Sequence, residues 1–212
     1  IFLLNDSDNG KNYKINRSVV LVGRTDSGKS AMIQRFKEAC GCAVVWADLS
    51  TLQPDGWRGT SLKSVFASEI NAGNIETREI DGKLVATSKI LFVGDEFDKI
   101  THYGATSHGD LGYASDMDMQ PELMHLMNPD TYIHIDLSGD LFSGSYRMCE
   151  IPVNNILCVF AGAFDGIEDN IIKKRLNVGR IGFDVQVDGK VHDTDLLRYV
   201  SKQDLVAWGY RK

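Results

Sequence analysis

Long apolar runs are missing from this chain. No stretch approaches the roughly 20 consecutive apolar residues that a helix needs to cross a hydrocarbon core, so no membrane-spanning helix is expected. The opening Ile1-Phe2-Leu3-Leu4 is too short for a signal-peptide core and has no basic flank. The chain also starts without Met, the expectation for an excised piece. Proline is scarce, at four residues, and there is no low-complexity tract or internal repeat, which excludes linker-like and solenoid architectures. The four cysteines, Cys40, Cys42, Cys149 and Cys158, lack C-x-x-C spacing and nearby paired histidines. A zinc site is therefore not expected, and the four read as reduced thiols of a cytosolic protein. Positive charge is also short: a net charge of −6 argues against a broad nucleic-acid surface. The triplet Lys173-Lys174-Arg175 reads as a solvated helix face.

What remains is 212 residues at 43% hydrophobic content, enough for one well-packed domain. The most informative stretch is "VGRTDSGKSAM", Val22 to Met32. Gly23, Gly28, Lys29 and Ser30 satisfy G-x-x-x-x-G-K-[ST]. Ser18 to Val22 before it is an apolar, β-branched run that reads as a buried parallel strand. After it, Ala31, Ile33, Phe36 and Ala39 recur at helical spacing. Strand, glycine loop and helix in that order let loop N–H groups and the positive end of a helix dipole converge on phosphate oxygens. Gly23, Arg24, Thr25, Asp26, Ser27, Gly28, Lys29, Ser30 and Ala31 are thus the candidate nucleotide-binding residues. Lys29 would reach the β and γ phosphates, and the Ser30 hydroxyl would be a ligand of Mg²⁺.

A phosphate loop needs a group that handles metal and water. In "KILFVGDEFDKI", Lys89 to Ile100, the run Ile90-Leu91-Phe92-Val93 reads as a second buried strand, with two acids just past its end. In a doubly wound sheet the strand ends face the ligand crevice, which would set Asp95 and Glu96 beside the phosphate loop. Asp95 suits Mg²⁺, a hard cation that prefers carboxylate oxygen. Glu96 suits general-base activation of an attacking water. Taken alone, acids after a strand also read as a helix cap. Together with the phosphate loop they point to hydrolysis, because a kinase acting on a small acceptor has no need of a water-activating Glu. The fold class expected is α/β, a P-loop NTPase with a parallel sheet flanked by helices and strands near Ser18, Val44, Ile90 and Ile156.

At this point "ILFVGDEFDKI" resembles the Walker B segment of AAA+ unfoldases of the ClpX and HslU kind, where an aliphatic run leads into D-E-x-D-K. "WADLSTLQPDGWRG", Trp46 to Gly59, resembles the segment there that ends in a G-aromatic-x-G loop. "PELMHLMN", "NILCVFAGAFDGI", "KKRLNVGRIGF" and "SKQDLVAWG" resemble later stretches of the large ATPase subdomain, in the same order. The resemblance implies residues 1–212 are a single AAA+ large subdomain without the small helical subdomain. It implies an ATPase using ATP and Mg²⁺, a cytoplasmic homo-oligomer forming a hexameric ring, a protein substrate pulled through a central pore, and room for a peptidase partner. By the same resemblance Gly56, Trp57, Arg58 and Gly59 are the substrate pore loop, with Trp57 gripping the polypeptide. On the residues alone, Trp57 either presses on a substrate between glycine hinges or packs on the domain surface. Arg58 stands where the family has an aliphatic residue.

A second pore loop is expected in 101–116, and a third loop in 137–150, which keeps Arg147 but lacks the family's basic cluster. Asp81-Gly82 and Asp188-Gly189 each sit between alternating residues and predict type I′ surface hairpins. The strand from Ile156 ends at Ala161-Gly162, with no Asn or Thr to sense the γ-phosphate, and Arg211 is not assigned as an arginine finger. Two other readings stay open. One is an AAA+ conformational switch or DNA-associated ATPase, for which Trp57 would be incidental. The other is a small P-loop kinase, for which Arg175 and Arg180 would be lid residues. A GTPase is disfavoured because no N-K-x-D segment occurs.

Overall fold

The computed structural model describes residues 18–55, 59–101, 119–128, 130–137, 147–176 and 196–210. Its centre is a four-stranded parallel sheet in the order β1-β8-β5-β2, built from β1 (Ser18–Val22), β2 (Ala43–Asp48), β5 (Ile90–Asp95) and β8 (Ile156–Gly162). All four strands expected from the sequence are present and parallel, in an α/β fold consistent with a P-loop NTPase. The two central strands are buried along nearly their whole length. That is why they read as unbroken apolar runs rather than as alternation.

Side chains alternate across the sheet, so its two faces build separate cores. On one face Leu91, Val93, Val159 and Ala161 meet Ile33 of α1 (Lys29–Cys40). Ile33 is the buried residue of that helix, while Phe36, expected on the same face, is 44% exposed. On the other face Phe66 of α2 (Leu62–Asn71) stacks on Phe92 at 5.8 Å, Phe92 meets Phe160 edge-on at 6.2 Å, and Phe160 stacks on Phe97 at 4.5 Å. Tyr210 continues the series against Phe97 at 4.4 Å. Each fully buried aromatic of this kind stabilises the fold by about 1.5–3 kcal/mol, and these span the domain from α2 to the last described residue.

A second sheet, in the order β3-β4-β7-β6, packs on the same core through Ala86, Ile133, Ile135, Cys149 and Ile151. It contains β3 (Thr77–Ile80), β4 (Lys83–Ala86), β6 (Tyr132–Asp136) and β7 (Met148–Pro152). The β3–β4 turn has φ of 52° at Asp81 and 76° at Gly82, the pair of left-handed residues that a type I′ turn requires. The turn and most of β3 are exposed, as expected of a surface hairpin, and β4 also pairs in parallel with β7, which ties the hairpin into the sheet. The second expected hairpin, at Asp188-Gly189, lies outside the described residues.

Two further expectations are corrected. Cys40 and Cys42 are bonded to each other rather than reduced. Gly41 caps α1 in the left-handed region, at φ 61°, and turns the chain so that the flanking Cα atoms lie 5.4 Å apart. Cys149 and Cys158 are buried free thiols, and burial pushes Cys158 up to about 12. The basic triplet is also not simply a solvated face. It ends a helical segment, 168–175, that opens with a π turn at Glu168–Ile172. Lys173 pairs with Asp169, but Arg175 reaches Asp204 of α4 (Lys202–Trp208) with Nε at 2.8 Å and a terminal nitrogen at 3.0 Å. α3 (Gln120–Leu126) is seated by Leu123 and Leu126. Among the described residues no helix is long and apolar enough to cross a membrane.

Asp204 is 1% exposed and also accepts from the Ser201 backbone N–H and hydroxyl, both at 2.7 Å. Burial works against its ionisation, but the hydrogen bonds from Arg175 and Ser201 outweigh it and hold the carboxyl below its ordinary value. A depressed folded pKa contributes stability that is present above the unfolded value and lost as pH falls through the folded one. Arg175→Met should therefore cost about 2–3 kcal/mol at neutral pH, allowing for the partial exposure of Arg175. Urea denaturation should show that difference shrinking below about pH 4.

Candidate functional site

The phosphate loop begins where β1 leaves the sheet. The Gly23 N–H donates to the Gly162 carbonyl of β8 at 3.3 Å, extending the β1–β8 ladder by one bond. A turn from Arg24 to Ser27 follows, closed by a 3.1 Å backbone bond, with Asp26 at φ 63° and Gly28 at φ 87°. Gly23 is held tightly, since a Cβ there would stand 2.8 Å from the Ser27 hydroxyl. Lys29 opens α1, and its ammonium curls back to donate to the carbonyls of Gly23 and, at 2.9 Å, Arg24. Arg24 turns away to pair with Glu168 at 3.0 Å.

A cleft of about 390 Å³ opens over this loop. It is lined by Thr25 through Ala31 on one side, by Asp95 and Glu96 on another, and by Gly162 and Ala163 between them. The fold thus gathers the glycine loop and the acid pair at the carboxyl ends of the parallel strands. Gly23 and Arg24 instead border the adjoining cavity along β1. The β8 wall is Gly162-Ala163 and offers backbone rather than a polar side chain.

The acid pair has a particular geometry. Asp95 ends β5 in register with Asp48 of β2, and its Oδ1 accepts the Glu96 N–H at 3.0 Å. Glu96 adopts φ 53° and ψ 35°, the left-handed region, and turns the chain into a short 3-10 helix, Phe97–Ile100. Burial pushes the Glu96 carboxyl above its ordinary value, helped by Asp98, Asp95 and Asp48 and opposed by Lys99. Ser30 and Asp95 are a hydroxyl and a carboxylate in one cleft, a donor set that fits Mg²⁺. That ion takes few protein oxygens and fills its shell with water and phosphate.

Two residues were given no role from the sequence. Asp48 adds a third carboxylate at the strand ends and contributes to the shift of Glu96. Asp98 has no exposed surface; its Oδ1 accepts the Ala163 N–H at 3.2 Å, and Oδ2 stands 3.1 Å from Lys99 Nζ without a hydrogen bond. The signal was the second Asp of the D-E-x-D-K run, whose position two residues past Glu96 returns it to the protein interior.

Gly56, Trp57 and Arg58 lie outside the described residues. The neck of their loop is described: the Gln53 N–H donates to the Thr60 carbonyl at 2.9 Å, and Gly59 has φ 142°. Residues 102–116 of the second expected loop, and 138–146 of the third, are also outside. The third is closed at its base by the Leu137 N–H bonding the Arg147 carbonyl at 2.8 Å. Arg180 and Arg211 are likewise outside, and Arg175 is committed to Asp204.

No protein-family model matches the chain. It is similar to proteins named ATP-dependent Clp protease ATP-binding subunit ClpX from several bacteria. The protein of Bacteroides thetaiotaomicron is 25% identical over 204 residues, which are 95% of this chain and 47% of that protein. That of Porphyromonas gingivalis is 26% identical over 205 residues, 96% of this chain and 47% of the relative. That of Borrelia duttonii is 27% identical over 195 residues, 91% of this chain and 42% of the relative. The chain spans about half the length of the curated relatives it matches. With the α/β fold, these similarities support a ClpX-type AAA+ ATPase segment.

The contact between the acid segment and β8 can be probed directly. A Cβ on Gly162 would stand 2.6 Å from Asp98 Oδ1 and 3.0 Å from the Asp98 backbone nitrogen. Neither backbone nor a buried carboxylate can yield cheaply, so Gly162→Ala should destabilise the domain by about 1–3 kcal/mol in chemical denaturation. Unchanged stability would mean that the 97–100 turn is not seated on β8 as described.

Proposed function

We propose that residues 1–212 form one large ATPase subdomain of a ring-forming AAA+ protein that hydrolyses ATP and uses the energy to unfold or remodel protein substrates. The observation that carries this reading is the cleft that joins the phosphate-loop residues Thr25 to Ala31 to Asp95 and to a Glu96 whose carboxyl is pushed upward. In it, the loop from Gly23 to Ala31 holds the phosphates, with Lys29 at the β and γ groups. The Lys29 ammonium donating to the Gly23 and Arg24 carbonyls supports this reading, since a phosphate oxygen would replace a carbonyl as its partner. Ser30 and Asp95 hold Mg²⁺, directly or through water. Bound Mg²⁺ supplies charge neutralisation at the phosphates. Glu96 takes the proton of the attacking water. A carboxyl above its ordinary range is a stronger base once ionised.

The ring is proposed as a homo-hexamer, with an arginine from a neighbouring subunit stabilising transition-state charge. Trp57, between Gly56 and Gly59, is proposed as the residue that grips the substrate, with Arg58 beside it. A peptidase partner is compatible with the relatives' name, which describes a protease subunit. The proposed location is the cytoplasm, where ATP is abundant. The Cys40–Cys42 bridge removes the thiol argument for that location made from spacing alone.

Lys29→Ala should abolish detectable nucleotide binding by calorimetry, whereas Glu96→Gln should bind ATP and lose at least about 100-fold in turnover. Retained turnover in Glu96→Gln would remove Glu96 as the base. The mechanical half of the reading rests on the full-length protein: unfolded protein should stimulate its ATPase, and Trp57→Ala should suppress that stimulation while leaving basal hydrolysis in place. ATP turnover indifferent to both would favour a conformational switch or a DNA-associated ATPase.

A further inference from the structure

Cys40 and Cys42 bond to each other across Gly41, at the junction where α1 ends and β2 begins. Both are half-buried and Gly41 is exposed, so the bridge lies within reach of solvent. Cys149 and Cys158 differ: both are buried free thiols, and burial pushes both upward, which disfavours the reactive thiolate. The accessible sulfur chemistry of this chain is therefore confined to the C-x-C pair.

A bridge stabilises a fold mainly by restricting the unfolded chain, and more so the longer the loop it closes. This one spans a single residue and restricts little. In a reducing cytoplasm, the location proposed above, bridges are as a rule transient and redox-sensing. What the bond does hold is local. The one buried side chain of α1 is Ile33, in its first half, and the last turn carries none. Cys42 packs against the same cluster as Ile33, so the bond fastens an otherwise exposed helix end to the sheet. From these contacts we propose that Cys40–Cys42 is a reversible thiol–disulfide site whose oxidation state sets how firmly the last turn of α1 is held. It lies about 16 Å along the helix from Lys29, and neither cysteine lines the nucleotide cleft.

Opening takes a dithiol reductant. Its thiolate bonds one cysteine sulfur as the S–S bond breaks, and the other sulfur leaves as a thiolate and is protonated. The Cys42 N–H, 3.4 Å from Cys40 Sγ, favours Cys40 as the leaving sulfur. The reductant's second thiolate then attacks its own sulfur in the mixed disulfide and frees Cys42. The cysteines gain two electrons and two protons, and the dithiol becomes a disulfide. A small disulfide such as oxidised glutathione reverses the exchange and is itself reduced to two thiols.

Alkylation of the folded full-length protein with N-ethylmaleimide, read by peptide mapping, tests the site. In oxidised glutathione, Cys40 and Cys42 should be protected. After dithiothreitol both should be alkylated at least about tenfold faster than Cys149 and Cys158, and return to oxidised glutathione should restore protection. Alkylation of the pair in the oxidising buffer, or resistance to dithiothreitol in the folded protein, would overturn the proposal. Reduction should also speed tryptic cleavage after Lys37 by about twofold or more, with cleavage after Lys63 in α2 unchanged. Cys40→Ser should be cut at the reduced rate in either buffer. A cut after Lys37 that ignores redox state, or a Cys40→Ser variant that still responds to it, would remove the hold on α1.

Discussion

Asp98 brings a carboxylate with no exposed surface into the junction of β5, β8 and α4, and the geometry of the cleft follows from how that group is accommodated. Burying a charge is costly unless it is paired and hydrogen-bonded. Here the Ala163 N–H and the neighbouring Lys99 supply the partners, and Gly162 supplies the space. The same turn is covered from outside. Trp208 donates its indole N–H to the Asp98 carbonyl at 3.4 Å, and the Tyr210 hydroxyl donates to the Phe97 carbonyl at 2.5 Å. Burial and the nearby Asp98 charge push the Tyr210 phenol upward, which keeps it a donor. With Phe97 stacked inward on Phe160 and Asp98 inward beside it, the chain must reverse at Glu96. The left-handed backbone of Glu96 is the local cost of packing its two successors while its own side chain stays on the cleft.

Strand order sets the dimensions of that cleft. β8 stands between β1 and β5, so the strand feeding the glycine loop and the strand feeding the acids are two spacings apart, about 9.6 Å. Had they been neighbours, a loop packed around Gly23 would crowd Asp95. Because the intervening strand ends in Gly162-Ala163, no side chain of any size fills the gap. Phosphate and a hydrated cation need about that much room. The third acid, Asp48, arrives by the same logic, since β2 pairs with β5 in a register that sets Asp48 beside Asp95. Its Oδ1 is occupied by the Ser50 N–H and hydroxyl, at 2.9 and 2.6 Å, so it acts on the cleft mainly through charge.

The parallel sheet was legible because its central strands are buried on both faces, which writes itself as continuous apolar sequence at Ile90–Val93 and Ile156–Phe160. Val19–Val22 reads the same way, but β1 lies at the edge of the described sheet and is only half-buried, not the buried strand expected. The type I′ turn at Asp81-Gly82 was legible because few other dipeptides tolerate two left-handed residues in succession. Where the hairpin goes was not, because β4 finds β7 across more than sixty residues and local pattern carries no information about that pairing. The helical face of α1 was over-read: Ile33 is buried and Phe36 is not, because periodicity marks a stripe but not how much of it a neighbouring layer covers. Cys40 and Cys42 were misread because spacing alone carries no sign of the left-handed turn at Gly41 that brings them together. The candidate site was legible at its ends, Gly23 to Ala31 and Asp95-Glu96, where residue type and chemistry coincide. Asp98 was not, because a buried acid and a surface acid are the same letter.

Charge in the cleft bears on how a transition state could be met there. Among the residues lining it, Lys29 is the cation. Arg24, next to the loop glycine, is paired with Glu168, and Arg175, a lid residue in the kinase reading, is locked to Asp204 and to the Tyr199 carbonyl. Drawing Arg175 out would leave the nearly inaccessible Asp204 without its main partner, a penalty larger than a single exposed phosphate contact returns. A closing arginine lid of the kinase type therefore has little support from the described residues. Phosphoryl transfer spreads charge over three equatorial oxygens, and one lysine with one divalent ion leaves part of it unmet. Among the residues lining the cleft that remainder has no second cation to meet it, which is compatible with the arginine of a neighbouring subunit proposed above.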